Sequence, residues 1–129
     1  MRIAPRICLI ESIEELNIAL RALTLIDVHQ MRSGSFPALY SSGIRYAREK
    51  RDAQGNVIED WRTAKIVAEC KWGDCEDLSC YLAGEYIIAG VNAEAFGSVV
   101  GPRLVHIRVR LPDGTIEDPS AQLGMLGDG

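Results

Sequence analysis

The sequence predicts an α+β domain in which one buried helix packs on a small antiparallel sheet. Three observations carry that expectation. Residues 75–89 read as a helix that is apolar on nearly every side, with its polar residues gathered in the first turn. In residues 104–111, Val105, Ile107, Val109 and Leu111 alternate with Leu104, His106, Arg108 and Arg110, the period of a half-buried strand. Pro112-Asp113-Gly114 then turns the chain into a return segment, Thr115 to Asp118. A chain of 129 residues, 47% apolar and 25% charged, has the length and composition of one domain, spanning 1–129 with a frayed tail over about 123–129.

The elements follow in order. Ser12-Ile13-Glu14-Glu15 is a capping box that opens a helix to about Met31, with Ile13, Leu16, Leu20 and Leu23 on one apolar face. Ser33-Gly34-Ser35 and Pro37 end it. Ile44 to Lys50 alternates weakly as a strand, Gln54-Gly55-Asn56 offers a turn, and Val57-Ile58 starts a return strand. Thr63 to Glu69 is a short helix capped by Thr63. The helix from Cys75 to Ala89 follows, with Gly90 just past its end. A further strand is expected around Ser98–Val100, before the strand at 104–111.

Composition narrows the function classes. Net charge is −4 with acidic and basic residues interspersed, so no basic face for nucleic acid is expected. No segment approaches the roughly 20 apolar residues of a membrane span. The start, Met1-Arg2-Ile3-Ala4-Pro5-Arg6, lacks an apolar h-region, which predicts a cytoplasmic or virion-associated protein. Cys8, Cys70, Cys75 and Cys80 are then free thiols, and Cys8, Cys70 and Cys80 are expected to be small buried hydrophobes. Five-residue cysteine spacing turns successive thiols to different sides of a helix, which argues against zinc.

The chemistry gathers at Gly73-Asp74-Cys75-Glu76-Asp77-Leu78, where a glycine loop runs into the buried helix. A thiol at a helix N-terminus meets unpaired N–H groups and a partial positive charge, which favour a thiolate nucleophile. Asp74, Glu76 and Asp77 work against that thiolate, so a charged partner is required, and His106 in its strand is the candidate. The bland alternative is a structural thiol beside a helix cap. His29, near the end of the first helix, is explained by a favourable C-terminal position.

Asp118 completes the set if the turn has three residues. Leu111 then pairs with Thr115 and Arg108 with Asp118, which places Asp118 on the His106 face, one diagonal step away. The same register sends Ile116 to the Arg108/Arg110 face, a conflict with hydrophobic patterning. Glu117 would face the core side and is the fallback acid. The expected chemistry is acyl transfer. Cys75 attacks an amide carbonyl and the Cys75 backbone N–H serves as one oxyanion donor. Trp61, Trp72, Tyr40 and Tyr46 are candidates, by residue type, for the second donor or for the cleft walls.

The run from Trp61 through Gly73-Asp74-Cys75-Glu76-Asp77-Leu78 to Gly90, then Val105-His106-Ile107 and Asp113 to Ser120, resembles bacterial and phage transglutaminase-like cysteine peptidases. The resemblance covers about half the chain. It implies a papain-like/transglutaminase-like core, with Cys75 as nucleophile, His106 as general base and acid, and Asp118 orienting the imidazole. The implied activity is that of a cysteine protease or amidase, with transamidation open, on a protein or peptide substrate. In a calcium-dependent subset that it resembles, the matching positions Asp74 and Glu76 would bind calcium; capping carboxylates are the simpler account, with no cofactor required. The competing class is a non-enzymatic phage or virion structural or assembly protein that keeps the fold.

Overall fold

The computed structural model describes residues 2–3, 12–48, 61–101 and 104–125. In chain order these form β1 (Arg2–Ile3), α1 (Ile13–Ser33), a 3-10 turn (Leu39–Ser41), β2 (Arg45–Tyr46), β3 (Trp61–Arg62) and α2 (Ala64–Cys70). Then come β4 (Trp72–Gly73), α3 (Cys75–Ile88), β5 (Glu94–Gly101), β6 (Leu104–Arg110), β7 (Ile116–Glu117) and α4 (Pro119–Gln122). The largest sheet is antiparallel, in the order β5-β6-β7, and α1 and α3 pack on it. There are two further short pairs: β1 with β3, antiparallel, and β2 with β4, parallel. The architecture is α+β.

α3 runs through the middle because its sequence leaves it no solvent face. Every residue from Glu76 to Gly84 is buried. Leu78, Tyr81, Leu82 and Ala83 enter one core cluster with Leu39, Ile44, Val67 and Val109. Cys80 enters a second, with Leu20, Leu23, Trp61 and Ile107. The helix ends as a Schellman motif, with Gly90 N–H on the Ile87 carbonyl and Val91 N–H on the Tyr86 carbonyl.

Local signals placed several elements. Ser12 caps α1 by accepting from the Glu15 N–H at 3.1 Å. The three-residue turn is the one found: Leu111 N–H meets the Thr115 carbonyl at 2.8 Å, Arg110 pairs with Ile116, Val109 with Glu117, and Gly114 sits at φ 89°. Ile116 accordingly lies on the exposed face with Arg110, against its hydrophobicity.

Other expectations are corrected. Thr63 is the N-cap residue of α2, but its side chain does not make the cap bond. α1 supplies the acceptors instead: Asp27 Oδ1 takes the Ala64 N–H at 2.7 Å and Gln30 Oε1 the Lys65 N–H at 2.9 Å. Cys70 is exposed rather than buried: it is the last residue of α2, where Glu69 and Lys71 beside it are exposed as well. Cys80 is buried as expected, its thiol donating to the Leu20 carbonyl at 3.4 Å. β5 begins four residues before the expected strand. Its small residues read poorly as strand, but an added Cβ at Gly97 would lie 2.6 Å from Leu16 Cδ2, so glycine is what lets α1 lie against it. Cys8, the Gln54-Gly55-Asn56 turn and the Val57-Ile58 strand lie outside the described residues.

Candidate functional site

Cys75 is the first residue of α3, and the loop before it is fixed by reciprocal capping. The Asp74 carboxylate accepts from backbone N–H groups of the first turn, and Asp77 Oδ2 accepts from the Asp74 N–H at 3.1 Å. Asp77 is fully buried, and its other oxygen takes the Arg62 N–H of β3 at 2.8 Å. Gly73 lets the loop lie this close. A Cβ there would sit 3.0 Å from Asp77 Cβ and 3.2 Å from Leu78 Cδ2.

α3 is registered on β6 at one residue. Ser79, one helical turn after Cys75, donates to the Ile107 carbonyl at 3.1 Å. Cys75 packs against the core cluster that Ile107 enters, and the Ile107 N–H pulls the thiol pKa down.

On the other face of β6, His106 Nε2 meets Asp118 Oδ2 at 2.7 Å. A carboxylate only accepts, so the Nε2 that faces it carries the proton. The Asp118 carboxylate has a second task as N-cap of α4, with Oδ1 accepting from the Ala121 N–H at 3.2 Å. Asp-Pro is a helix-opening pair, cap then first residue, and that signal would have found α4.

Cys75 is not paired with His106. The Cys75 thiol donates to Glu76 Oε2 at 3.5 Å and not to the imidazole. Burial pushes the thiol pKa well up, and the Glu76 and Asp74 charges push it further, against the Ile107 N–H that pulls it down. The expected oxyanion donor is also committed: the Cys75 N–H donates to Asp74 Oδ1 at 2.7 Å. That corrects the sequence-based assignment, because the aspartate that caps the helix also occupies its first N–H.

The four aromatic candidates separate. Trp61 is buried in the cluster that Cys75 packs against. Trp72 is covered by the Arg62 guanidinium, 3.5 Å from its ring centre. Tyr40 is bound to Glu117 at 2.6 Å. Tyr46 is the one beside the loop: burial and then the Asp74 charge raise its hydroxyl pKa, and the nearby Cys75 adds to the effect.

Asp74, Cys75 and Glu76 bring one ligand atom each within 4.8 Å of one another. Two carboxylates and a soft sulfur fall short of the six or more hard oxygens that calcium takes, and Asp74 is already spent on the cap. The described donor set does not fit calcium.

Among the described residues no helix is long and apolar enough to cross a membrane. Compared with protein-family models, with curated proteins and with solved structures, the chain matches none.

Proposed function

We propose that the chain is a cysteine-dependent acyl transferase or hydrolase of peptide or amide bonds, with Cys75 as nucleophile, His106 as general base and acid, and Asp118 orienting the imidazole. The observation that carries this is the 2.7 Å His106–Asp118 pair at β6, the strand whose Ile107 carbonyl accepts from Ser79, one helical turn after Cys75. In the proposed reaction His106 Nδ1 takes the thiol proton as Sγ bonds to the substrate carbonyl carbon. The imidazolium then gives that proton to the leaving amine as the C–N bond breaks, and water or an amine resolves the thioester. The raised thiol pKa favours proton transfer concerted with attack over a standing thiolate–imidazolium pair. The papain-like/transglutaminase-like core rests on a similar arrangement: a central helix led by cysteine and packed on the antiparallel sheet, with histidine on β6 and aspartate just past the end of β7.

One observation favours the competing class, a non-enzymatic phage or virion assembly protein. The thiol and the first helical N–H are both held by carboxylates. Alkylation with iodoacetamide at neutral pH separates the two readings. Selective labelling of Cys75 that is lost in His106→Ala supports the enzyme. Labelling of Cys75 no faster than Cys70 or Cys80, and indifferent to His106, sinks it.

A further inference from the structure

Beyond the three proposed catalytic residues, the region around Asp118 contains a second constellation that acyl transfer does not use. Glu117, the residue before Asp118, accepts from two tyrosines. Tyr40 Oη donates to Oε2 at 2.6 Å and Tyr86 Oη to Oε1 at 2.5 Å. Tyr86 belongs to α3, the helix that carries Cys75 at its other end. Tyr40 belongs to the 3-10 turn, and α3 holds that turn as well. Glu85 accepts from the Leu39 N–H, at 3.1 Å on one oxygen and 3.3 Å on the other.

We propose that Tyr40, Tyr86 and Glu117 form a strut from α3 to β7 that sets Asp118, and through it the His106 ring, relative to the Cys75 helix. Glu117 is then a positioning residue. The inference rests on the acyl-transfer reading for its purpose, but its geometry stands apart.

Asp118 is held from its C-terminal side by its cap on α4 and by the buried Pro119 and Ser120. On its N-terminal side β7 is two residues long, and its ladder to β6 consists of Val109↔Glu117 and Arg110↔Ile116. The strut supplies the restraint on that side, by fastening both Glu117 oxygens to α3 and its attached turn.

The strut also stays closed across the working pH range. Its hydrogen bond to Glu117 and burial push Tyr86 up to about 12, and burial, together with the same carboxylate, pushes Tyr40 higher still. Both hydroxyls remain donors. A stabilising role alone is a weak explanation, because Tyr40 is 44% exposed and water competes for its bond. Alignment of a catalytic carboxylate gains from bonds that add little to stability.

The test uses the full chain with Tyr40→Phe/Tyr86→Phe, which keeps both rings and removes both donors. Tyr86→Phe alone and Glu117→Gln serve as milder variants should the double variant not fold. The first readout is the ¹⁵N spectrum of the His106 ring, which needs no substrate. Wild type is expected to show a protonated Nε2 with a slowly exchanging proton and a bare Nδ1. In the variants that signature gives way to tautomer averaging while the unfolding midpoint moves little. The second readout is Cys75 alkylation by iodoacetamide, expected to slow by about tenfold, the scale of one lost orienting bond. A His106 spectrum unchanged in a folded double variant would overturn the strut and leave it a fold staple. If His106→Ala leaves alkylation unchanged, the acyl-transfer reading fails instead, and the ring spectrum still decides the strut.

Discussion

The two halves of the candidate site stand in opposite states. The His106 half is assembled: Asp118 holds His106 at 2.7 Å and is itself held by the α4 cap. The Cys75 half is restrained: its thiol donates to Glu76, its backbone N–H is taken by Asp74, and its pKa is raised. The same chemistry has both effects. A carboxylate that faces an imidazole N–H orients a base, whereas one that faces a thiol keeps it protonated. Two acids at a helix start also suit its dipole, so stability and nucleophilicity make opposite demands on the first turn of α3. Under the proposed function, activation consists of moving the thiol from Glu76 to His106.

The largest expected effect comes from removing the assembled half. His106→Ala is expected to slow turnover by about 100-fold or more, the scale of a lost general acid–base, with the fold retained. Asp118→Asn should fall in the same direction, since its amide group can face the ring with the wrong atom. A readily detectable activity that survives His106→Ala would mean that the 2.7 Å pair only staples β6 to α4.

Glu76→Gln probes the restrained half and should act in the opposite direction. It removes the charge that, after burial, most raises the Cys75 thiol. The alkylation-rate profile of Cys75 should move to lower pH, and the rate at neutral pH should rise by roughly tenfold for each 1.4 kcal/mol of repulsion removed. Glu76 is buried, so the isosteric amide is the right probe and Ala is not. A profile that does not move would show that burial alone sets this thiol.

The comparison also marks what the sequence made legible. Interactions closed within a few residues were readable: the Ser12 cap, the Pro112-Asp113-Gly114 turn and hence the face shared by His106 and Asp118. The partners that tune the site were not. Tyr40 reaches Glu117 across 77 positions, Asp27 reaches Ala64 across 37, and Asn17 Oδ1 takes the Gly97 N–H across 80. No local pattern encodes such pairings, because they depend on which surfaces the packed helices bring together. The committed Cys75 N–H was missed for another reason. Asp74 and Glu76 read as capping carboxylates, but the reading did not carry through to the consequence that a cap at Asp74 occupies the Cys75 N–H.

A smaller effect is expected at the scaffold behind the nucleophile loop. Asp27 is fully buried; Oδ1 holds the Ala64 N–H, and Oδ2 is a buried oxygen without a hydrogen-bond partner. Burial raises its pKa well above the usual carboxylate range, over the opposing pull of Ala64, and the Asp77 charge adds to the rise. The folded chain therefore keeps a proton that the unfolded chain releases. This group's contribution to stability is lost as pH rises from the ordinary carboxylate range through the raised value. Asp27→Asn mimics the protonated form and removes that loss. In urea unfolding, the variant's stability minus that of wild type should increase with pH at unchanged slope. A constant difference between pH 4 and 8 would show that Asp27 ionises in the fold as freely as outside it.

The smallest effect separates capping from metal binding. Asp74 caps α3 reciprocally with Asp77, and its Oδ1 holds the Cys75 N–H. Asp74→Ala should cost about 1 kcal/mol of stability, the usual worth of an N-cap. It should also free the Cys75 N–H to donate to a developing oxyanion, so activity should be kept or modestly raised, against the loss in stability. Because Asp74 is spent on the cap and Cys75 offers sulfur rather than oxygen, chelation should leave both melting temperature and activity unchanged. The contrary outcome is specific: activity lost on chelation and restored by calcium but not magnesium, which demands a smaller octahedral site. Asp74 and Glu76 would then be drawn toward the ion, away from the Cys75 N–H and thiol, and the restrained half of the site would be the form without calcium.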